Sequence, residues 1–357
     1  MQTADPSSSR SQHWAMHARS AWLWACALDV AVRKPGNVSL ASAGHDMRAA
    51  QFLASARASA PALFDRERAL GARLEAAVGA TRAVAGCNTN LGILLLCAPI
   101  ACACERLDAG SAPPSAQALR AALRGVLEGL DMADARATFR AIAAASPGGL
   151  GHVPEQDVGA APTIGLRAAM GLAAHRDLVA RQYAAAHADI FDFGLPAFAA
   201  AAHAAPAARR ALRAGASCGV DLCDAALRAR VLHLYLAWLA AHPDSHIVRK
   251  HGAQAARAVS AEAAQWLARL QACPELADSE ALADWDDALK ARGLNPGTSA
   301  DLTVCTLFVA AVLEPGLVDP ALIAAASAQA AAMERSLLKL RDPAVPGVCM
   351  EPLGPPS

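Results

Sequence analysis

The sequence predicts an all-α fold, organised as a single multi-helix globular domain with a central polar pocket formed by inter-helix loops. The chain of 357 residues is 55% hydrophobic but only 4% aromatic, so Ala, Leu and Val must supply most of the core. Alanine and leucine have high helix propensity, which favours helix over strand along most of the chain. In addition, no run with the two-residue alternation of a strand is long enough to require a sheet.

Each helix is predicted from the spacing of its apolar residues and from the breakers at its ends. Within residues 14–33, Trp22, Cys26 and Val30 recur every fourth residue and so share one helical face. The Pro-Gly pair after Lys34 ends this helix. Similar patterns predict further helices over residues 46–58, 63–85, 88–104, 116–130, 133–145, 166–182, 195–215, 218–241, 253–270, 280–291 and 302–313.

The ends of the helical pattern set the predicted domain boundaries. Residues 1–13 are polar and are predicted to be a disordered N-terminal tail, without the basic and then apolar order of a signal peptide. Residues 14–345 are predicted to form the helical domain, and residues 346–357 a C-terminal tail.

Charge and cysteine content exclude several classes of protein. The 32 basic and 32 acidic residues cancel, so we expect no nucleic-acid partner and no anionic membrane partner. The most apolar run, residues 91–104, contains Pro99 and is too short to cross a bilayer. The ten cysteines lack zinc-site spacing and are predicted to be buried thiols of a cytoplasmic protein. The sequence leaves the oligomeric state open.

The segment 86–92, Gly-Cys-Asn-Thr-Asn-Leu-Gly, runs directly into the most apolar helix and is the first candidate for a binding loop. Asn88, Thr89 and Asn90 each suit a helix N-cap. A helix N-terminus that faces a cavity favours anions, because free N–H groups and the positive end of the dipole point the same way. The alternative is an ordinary capped core helix.

Other junctions between helices have the same Gly, Asn and Asp content, and we expect them to converge on one pocket. These junctions are residues 34–46, 148–157 and 295–301, together with the basic segment 244–252. Each has a simpler interpretation: Lys34 and the basic pair Arg249-Lys250 as solvated charges, and Asp46 and Thr298 as helix caps.

In their order along the chain, these junctions resemble the triphosphoribosyl-dephospho-CoA synthase family, in a divergent branch. The resemblance extends from the first helix nearly to the C-terminus. The matching segments are Lys34-Pro35-Gly36-Asn37-Val38 with Gly44-His45-Asp46-Met47, Gly86-Cys87-Asn88-Thr89-Asn90-Leu91-Gly92, Gly149-Leu150-Gly151 with Asp157-Val158, and Leu294-Asn295-Pro296-Gly297-Thr298-Ser299-Ala300-Asp301-Leu302.

The resemblance implies a transferase that moves the triphosphoribosyl group of ATP to the ribose 2′-hydroxyl of 3′-dephospho-CoA and releases adenine. Such a reaction needs a carboxylate near the sugar, for which the candidates are Asp46, Asp157 and Asp301. It also needs cations and Mg²⁺ on the triphosphate. The expected substrate-binding residues are Lys34, Asn37, His45, Asn88, Thr89, Asn90, Gly92, Arg249, Lys250, Asn295, Gly297, Thr298 and Ser299.

The sequence also departs from the better-known members of that family. They carry His-x-Asp-Met, whereas His45 and Asp46 are adjacent here, and they carry His-Lys where this chain has Asn90-Leu91. They read His-Arg-Gly-Gly near the segment that here is residues 249–252. Two alternatives therefore stand beside the first interpretation: a related ATP-dependent transferase in one-carbon or pterin cofactor biosynthesis, and a nucleotide-binding protein without enzymatic activity.

Overall fold

The computed structural model describes residues 6–107, 112–147, 156–204 and 223–341. Within these ranges it contains helices and no β-strand, so the predicted all-α fold is confirmed. The α-helices are α1 (Pro6–Ala31), α2 (Ala49–Leu63), α3 (Leu70–Ala85), α4 (Leu91–Cys104), α5 (Ala116–Glu128), α6 (Met132–Ala145), α7 (Leu166–Ala173), α8 (Leu178–Ala184), α9 (Leu195–Ala204), α10 (Ala225–Ala241), α11 (Ser245–Ala272), α12 (Glu280–Ala291), α13 (Gly297–Leu313) and α14 (Pro320–Arg341).

Several helix bounds differ from the prediction at the N-terminal side. Helix α1 begins at Pro6, so it includes residues 6–13 of the segment predicted to be a disordered tail. Helix α2 begins at Ala49 rather than at Asp46, because residues 44–47 form a tight turn. The predicted helix 166–182 is two helices, α7 and α8, separated where Asp177 caps the second.

Further along, α11 begins at Ser245 and contains a break at Gly252, where φ is 85°. The sequence predicts a junction over residues 244–252 and a helix from residue 253; the segment before Gly252 is instead helical, and the backbone departs from helical geometry at Gly252 itself. The predicted helices 195–215 and 218–241 fall partly outside the described residues, and the glycine-rich segment 148–155 and the C-terminal tail 346–357 lie wholly outside them.

The core is centred on α4 and α13, which are buried on nearly all sides. Helix α4 is apolar around its whole circumference, which is typical of a helix enclosed by others. It contacts α13, and α1 packs against both. The side chains of Trp22, Leu94 and Phe308 are fully buried in this cluster, and each stabilises the fold by about 1.5–3 kcal/mol. Among the described residues, no helix has the length and apolar character to span a membrane.

Candidate active site

A cavity of about 360 Å³ lies where the N-terminal ends of α4, α11 and α13 meet. Gly92 lines it from α4, Arg249 from α11 and Thr298 from α13. The positive ends of three helix dipoles therefore face one space, which favours an anionic ligand. The volume is within the range of pockets that enclose small-molecule ligands.

The remaining walls of the cavity are largely apolar. They are formed by side chains from α2, α6, α7 and α8, among them Phe52, Phe139, Ile142, Met170 and Val179. The cavity thus combines a polar floor of helix N-termini with apolar walls, a combination suited to a ligand that carries both charged groups and a ring or chain.

Every junction that the sequence predicts to converge contributes to this cavity. The predicted site residues that line it are Asn37, Asn88, Thr89, Gly92, Asp157, Arg249, Asn295, Gly297, Thr298 and Asp301. They come from segments as far apart in sequence as residues 37 and 301, so the convergence is a property of the fold and not of local sequence.

Lys34 is predicted to contact the triphosphate, but in the structure it does not line the cavity. Its side chain is fully buried, and Nζ lies 3.0 Å from Oδ1 of Asp29. The ammonium also donates a hydrogen bond to the backbone carbonyl of Asp29. Lys34 is therefore committed to an internal ion pair, and it is Asp29 that faces the cavity.

His45 and Asp46 occupy the tip of a tight turn and do not line the cavity. Both have positive φ, 54° and 59°, and the backbone of Gly44 pairs with that of Met47 on either side of them. His45 Nε2 hydrogen-bonds the carbonyl of Gly36 at 2.8 Å, whereas Asp46 is exposed. The turn therefore directs Asp46 to solvent, so the structure does not support it as a catalytic carboxylate, and neither does it cap α2.

Asn90, Lys250 and Ser299 also lie outside the lining of the cavity. Asn90 is buried and accepts a hydrogen bond from Thr81 Oγ1 at 3.0 Å, while Lys250 is exposed. Ser299 is fully buried, and its hydroxyl donates to Asp244 Oδ2 at 2.8 Å. These positions support the site from behind or lie away from it, instead of contacting a ligand in it.

Two of the converging junctions are joined directly. Asn37 Nδ2 donates to Asn295 Oδ1 at 2.8 Å, and both side chains line the cavity. Gly36, with a φ of +81°, lets the two backbones approach, because a Cβ here would lie 2.8 Å from the carbonyl oxygen of Leu294. The Gly36 amide donates to the fully buried Asp286, which also pairs with Lys290. The turn after α1 is thereby held against the start of α13.

Asp244 joins the N-termini of two of the helices that face the cavity. Its Oδ1 accepts from the amides of His246 and Ile247 at 2.9 and 3.1 Å, which caps α11. Its Oδ2 accepts from the amide of Ser299 at 2.7 Å in the first turn of α13. One fully buried carboxylate therefore sets the relative position of two helix ends.

Replacing Asp244 with Ala should lower the free energy of unfolding by about 2–4 kcal/mol, because several buried amide donors lose their acceptor. The urea midpoint of unfolding measures this loss. The matched control is Asp224→Ala, at an exposed N-cap whose side chain accepts only from Leu227 within the described residues. An equal, small change in both variants would show that Asp244 does not hold the two helices together.

Asp301 is the predicted carboxylate whose surroundings are most unusual. Within the described residues its side chain makes no hydrogen bond and no ion pair, although it lines the cavity. Burial, followed by the charges of Asp29 and Asp244, raises the pKa of Asp301 well above its ordinary value. An unpartnered carboxylate at a cavity surface is suited to accept a proton or a hydrogen bond from a ligand.

Gly92 is the residue that makes room for this carboxylate. A Cβ at position 92 would lie 2.0 Å from Oδ2 and 2.5 Å from Cγ of Asp301. With the carboxylate in this position, only glycine fits at residue 92 in the first turn of α4. Gly92 therefore allows the side chain of Asp301 to pack against the backbone of α4.

Asp29 and His246 also line the cavity, although neither is among the site residues predicted from the sequence. Burial, together with the charges of Lys250 and Arg249, lowers the pKa of His246 to about 3, so its imidazole is neutral at pH 7. Its Nε2 is buried without a hydrogen-bond partner in the described part of the chain. For Asp29 a signal was available, because an acidic residue stands alone in the apolar part of α1.

A protein-family model described as ATP:dephospho-CoA triphosphoribosyl transferase (CitG) matches residues 15–318. The chain belongs to this family. It is therefore a transferase of the triphosphoribosyl-dephospho-CoA synthase type, as the resemblance implies. A search of curated protein sequences finds no significant match to it.

A solved structure has a similar fold. It is the crystal structure of a protein described as a candidate triphosphoribosyl-dephospho-CoA synthase from Archaeoglobus fulgidus, with 21% sequence identity and a TM-score of 0.51. The match covers 73% of this chain and 99% of the archaeal chain. At this identity the likeness concerns the fold alone.

The structure shows where Asn90 and Leu91 lie, the two residues that replace the His-Lys pair of the better-known members of the family. Asn90 stands where the better-known members have His, and here it is buried against Thr81 behind the cavity. Leu91, in place of Lys, starts α4 and lines the cavity with an apolar side chain. At these two positions the transferase therefore has no cation for an anionic ligand.

Proposed function

We propose that the protein transfers the triphosphoribosyl group of ATP to the ribose 2′-hydroxyl of 3′-dephospho-CoA, with release of adenine. Family membership supports this substrate pair. The observation that carries the proposal is the unpartnered Asp301 carboxylate, placed in a cavity on which helix N-termini converge. The cavity thus offers an acceptor for a proton beside a region that favours phosphate.

The reaction requires one bond to break and one to form at the anomeric carbon of ATP. The bond from C1′ to the adenine nitrogen breaks, and adenine leaves with the electron pair and takes up a proton. The 2′-hydroxyl oxygen of the acceptor forms the new bond to C1′, and its proton passes to Asp301. Positive charge develops on the ribose as the glycosidic bond lengthens, as in glycoside chemistry.

The triphosphate remains on the transferred ribose and needs its negative charge compensated. Arg249 lines the cavity and lies 2.6 Å from Asp177, which orients its guanidinium. The N-termini of α4 and α13 add favourable dipoles. Arg176 also lines the cavity and is exposed there, so it is a second cation within reach of a phosphate group.

Mg²⁺ is proposed to enter with ATP. Among the described residues no group of three or more His, Cys, Asp or Glu side chains is arranged to hold a metal ion. Magnesium in nucleotide sites is commonly held by substrate phosphates with one or two carboxylates, and this cavity fits that description. Asp157 lines it and would supply such a carboxylate, while Mg²⁺ would supply charge compensation for the triphosphate.

The test is to incubate the protein with ATP, Mg²⁺ and dephospho-CoA and to measure adenine by chromatography and the product by mass. We expect one adenine for each product molecule that carries the ribose and all three phosphates, and no adenine without acceptor. A 2′-deoxy analogue of dephospho-CoA should give no product. Adenine release only with another acceptor, such as a pterin, would support the alternative transferase, and ATP binding without any turnover would support a nucleotide-binding protein.

A further inference from the structure

We propose that Asp29, held in place by Lys34, is a second catalytic carboxylate that stabilises the positive charge developing on the ribose. This inference rests on the proposed function, because it assigns a role within the same reaction. It concerns two residues of one structural unit: Asp29 in the last turns of α1, and Lys34 just after the end of that helix.

Asp29 is a buried carboxylate at the wall of the cavity. Its exposed fraction is only 3%, and it lines the cavity from within an otherwise apolar part of α1. Burying a charged carboxylate costs free energy unless it is paired. A charge at this place in the core therefore needs a compensating cation, and the structure supplies one.

Lys34 is the cation that compensates the charge of Asp29. Its fully buried ammonium lies 3.0 Å from the carboxylate of Asp29 and also bonds the carbonyl of the same residue. A buried ion pair is seldom more stable than apolar residues of the same volume, so stability alone does not account for it. The pair fixes a negative charge at the wall of a cavity, which is where electrostatic catalysis requires one.

The carboxylate of Asp29 keeps one oxygen that can interact with a ligand. Oδ1 is paired with the Lys34 ammonium, whereas Oδ2 has no hydrogen-bond partner within the described residues. Its charge is close enough to Asp301 to raise the pKa of that carboxyl group. Both residues line the cavity.

Asp301 and Asp29 have different partners, and we therefore assign them different roles. Asp301 has no cation beside it and can take the proton of the acceptor hydroxyl. Asp29 is tied to an ammonium and acts as a fixed negative charge. No proton moves to or from Asp29 in this scheme, so the bonds and charges of the transfer stay balanced as described for the proposed reaction. Pairs of carboxylates with such unequal surroundings commonly divide the work of glycosyl chemistry.

The ion pair of Asp29 and Lys34 is not suited to bind the triphosphate. A carboxylate would repel phosphate, and the Lys34 ammonium is enclosed behind it with no exposed surface. The cations that can reach a phosphate are Arg249 and Arg176. We therefore assign the Asp29 side of the cavity to the ribose and the arginine side to the phosphates.

The experiment compares Asp29→Asn and Lys34→Met with the wild-type enzyme in the adenine-release assay, and measures ATP binding by calorimetry without acceptor. Asp29→Asn should lower kcat about 100-fold or more, because a charge matched to the transition state is lost. The Kd for ATP should change by about threefold or less, because the interaction strengthens only in the transition state. Lys34→Met should lower kcat about 10-fold through the loss of positioning, again with little change in ATP binding.

Controls make each result decisive. Asp284→Asn, at an exposed position on α12, should behave as wild type. If Asp29→Asn does not fold because Lys34 is left buried and unpaired, the double variant Asp29→Asn/Lys34→Met removes both charges and should show the same loss of kcat. Circular dichroism verifies the helical content of each variant.

Two outcomes would overturn the inference. One is a kcat for Asp29→Asn that lies within about fivefold of wild type, since that is far less than the loss of a matched charge. The other is recovery of activity at high Mg²⁺ concentration, which would make Asp29 a metal ligand. A wild-type protein that releases no adenine with dephospho-CoA would instead refute the proposed function, so the two failures are distinguishable.

Discussion

Replacing Asp301 with Asn is expected to abolish adenine release while leaving the helical content unchanged. The amide cannot accept the proton of the acceptor hydroxyl, and loss of general-base catalysis lowers rates by about 100- to 10,000-fold. Asn has almost the same volume as Asp, so the packing against Gly92 is preserved. The measurement is kcat in the adenine-release assay, with circular dichroism on the same sample.

The same variant should be more stable than the wild type near neutral pH. Burial and the charges of Asp29 and Asp244 raise the pKa of Asp301, so the folded state favours the protonated carboxyl group. The stability that this group contributes is fully present below its unfolded pKa and is lost as pH rises through the raised pKa. At neutral pH the wild type therefore bears a cost that Asn does not, and Tm should rise by about 1–2 °C per kcal/mol relieved in a chain of this length.

This gain in Tm should shrink as the pH falls, and it should vanish below the ordinary pKa of a carboxyl group, where wild-type Asp301 is protonated in both states. An active Asp301→Asn enzyme would show that the carboxylate is not the base. A variant with reduced Tm at pH 7 would show that Asp301 is a structural residue, because a helix cap loses stability when it is replaced.

Replacing Gly92 with Ala should lower kcat about 100-fold with little change in Tm. The new Cβ would lie 2.0 Å from Oδ2 and 2.5 Å from Cγ of Asp301, so the carboxylate must rotate out of its position. A displacement of about 1 Å in a catalytic group can cost about 100-fold in rate. Alanine is preferred to glycine in a helix by about 1 kcal/mol, which offsets part of the steric cost of about 1–3 kcal/mol.

Gly79→Ala is the matched control for this variant. Gly79 lies in α3, and a Cβ at this position would meet nothing within 4 Å. This variant should keep full activity and gain about 1 kcal/mol of stability. Equal kcat values for the Gly79 and Gly92 variants would show that the approach of Asp301 to α4 is unimportant for the reaction.

The helical fold could be predicted from sequence because composition and apolar spacing act locally. The helix α4, for example, is apolar on all sides and could only be a buried helix. The convergence of segments 86–92 and 295–301 could be predicted from their shared Gly, Asn and Asp content, since loops between helices need few such residues unless they form a site. Both segments line the cavity.

The roles within the site could not be predicted in the same way, because they depend on which way each side chain points. Asp46 follows His45 in a turn with two positive φ values, which directs it to solvent. The ammonium group of Lys34 could bind a phosphate. Its side chain is long and flexible, however, and here it turns inwards and pairs with Asp29. Such choices are set by tertiary contacts that no local pattern encodes.

A crystal structure of the Asp301→Asn variant with ATP, Mg²⁺ and dephospho-CoA would show directly how the substrates lie in the cavity. We expect the triphosphate beside Arg249 and the N-termini of α4 and α13, with the ribose between Asp29 and residue 301. ATP bound outside this cavity, or bound within it with adenine against these helix ends and the phosphates at the apolar wall of Phe52 and Phe139, would contradict this expectation.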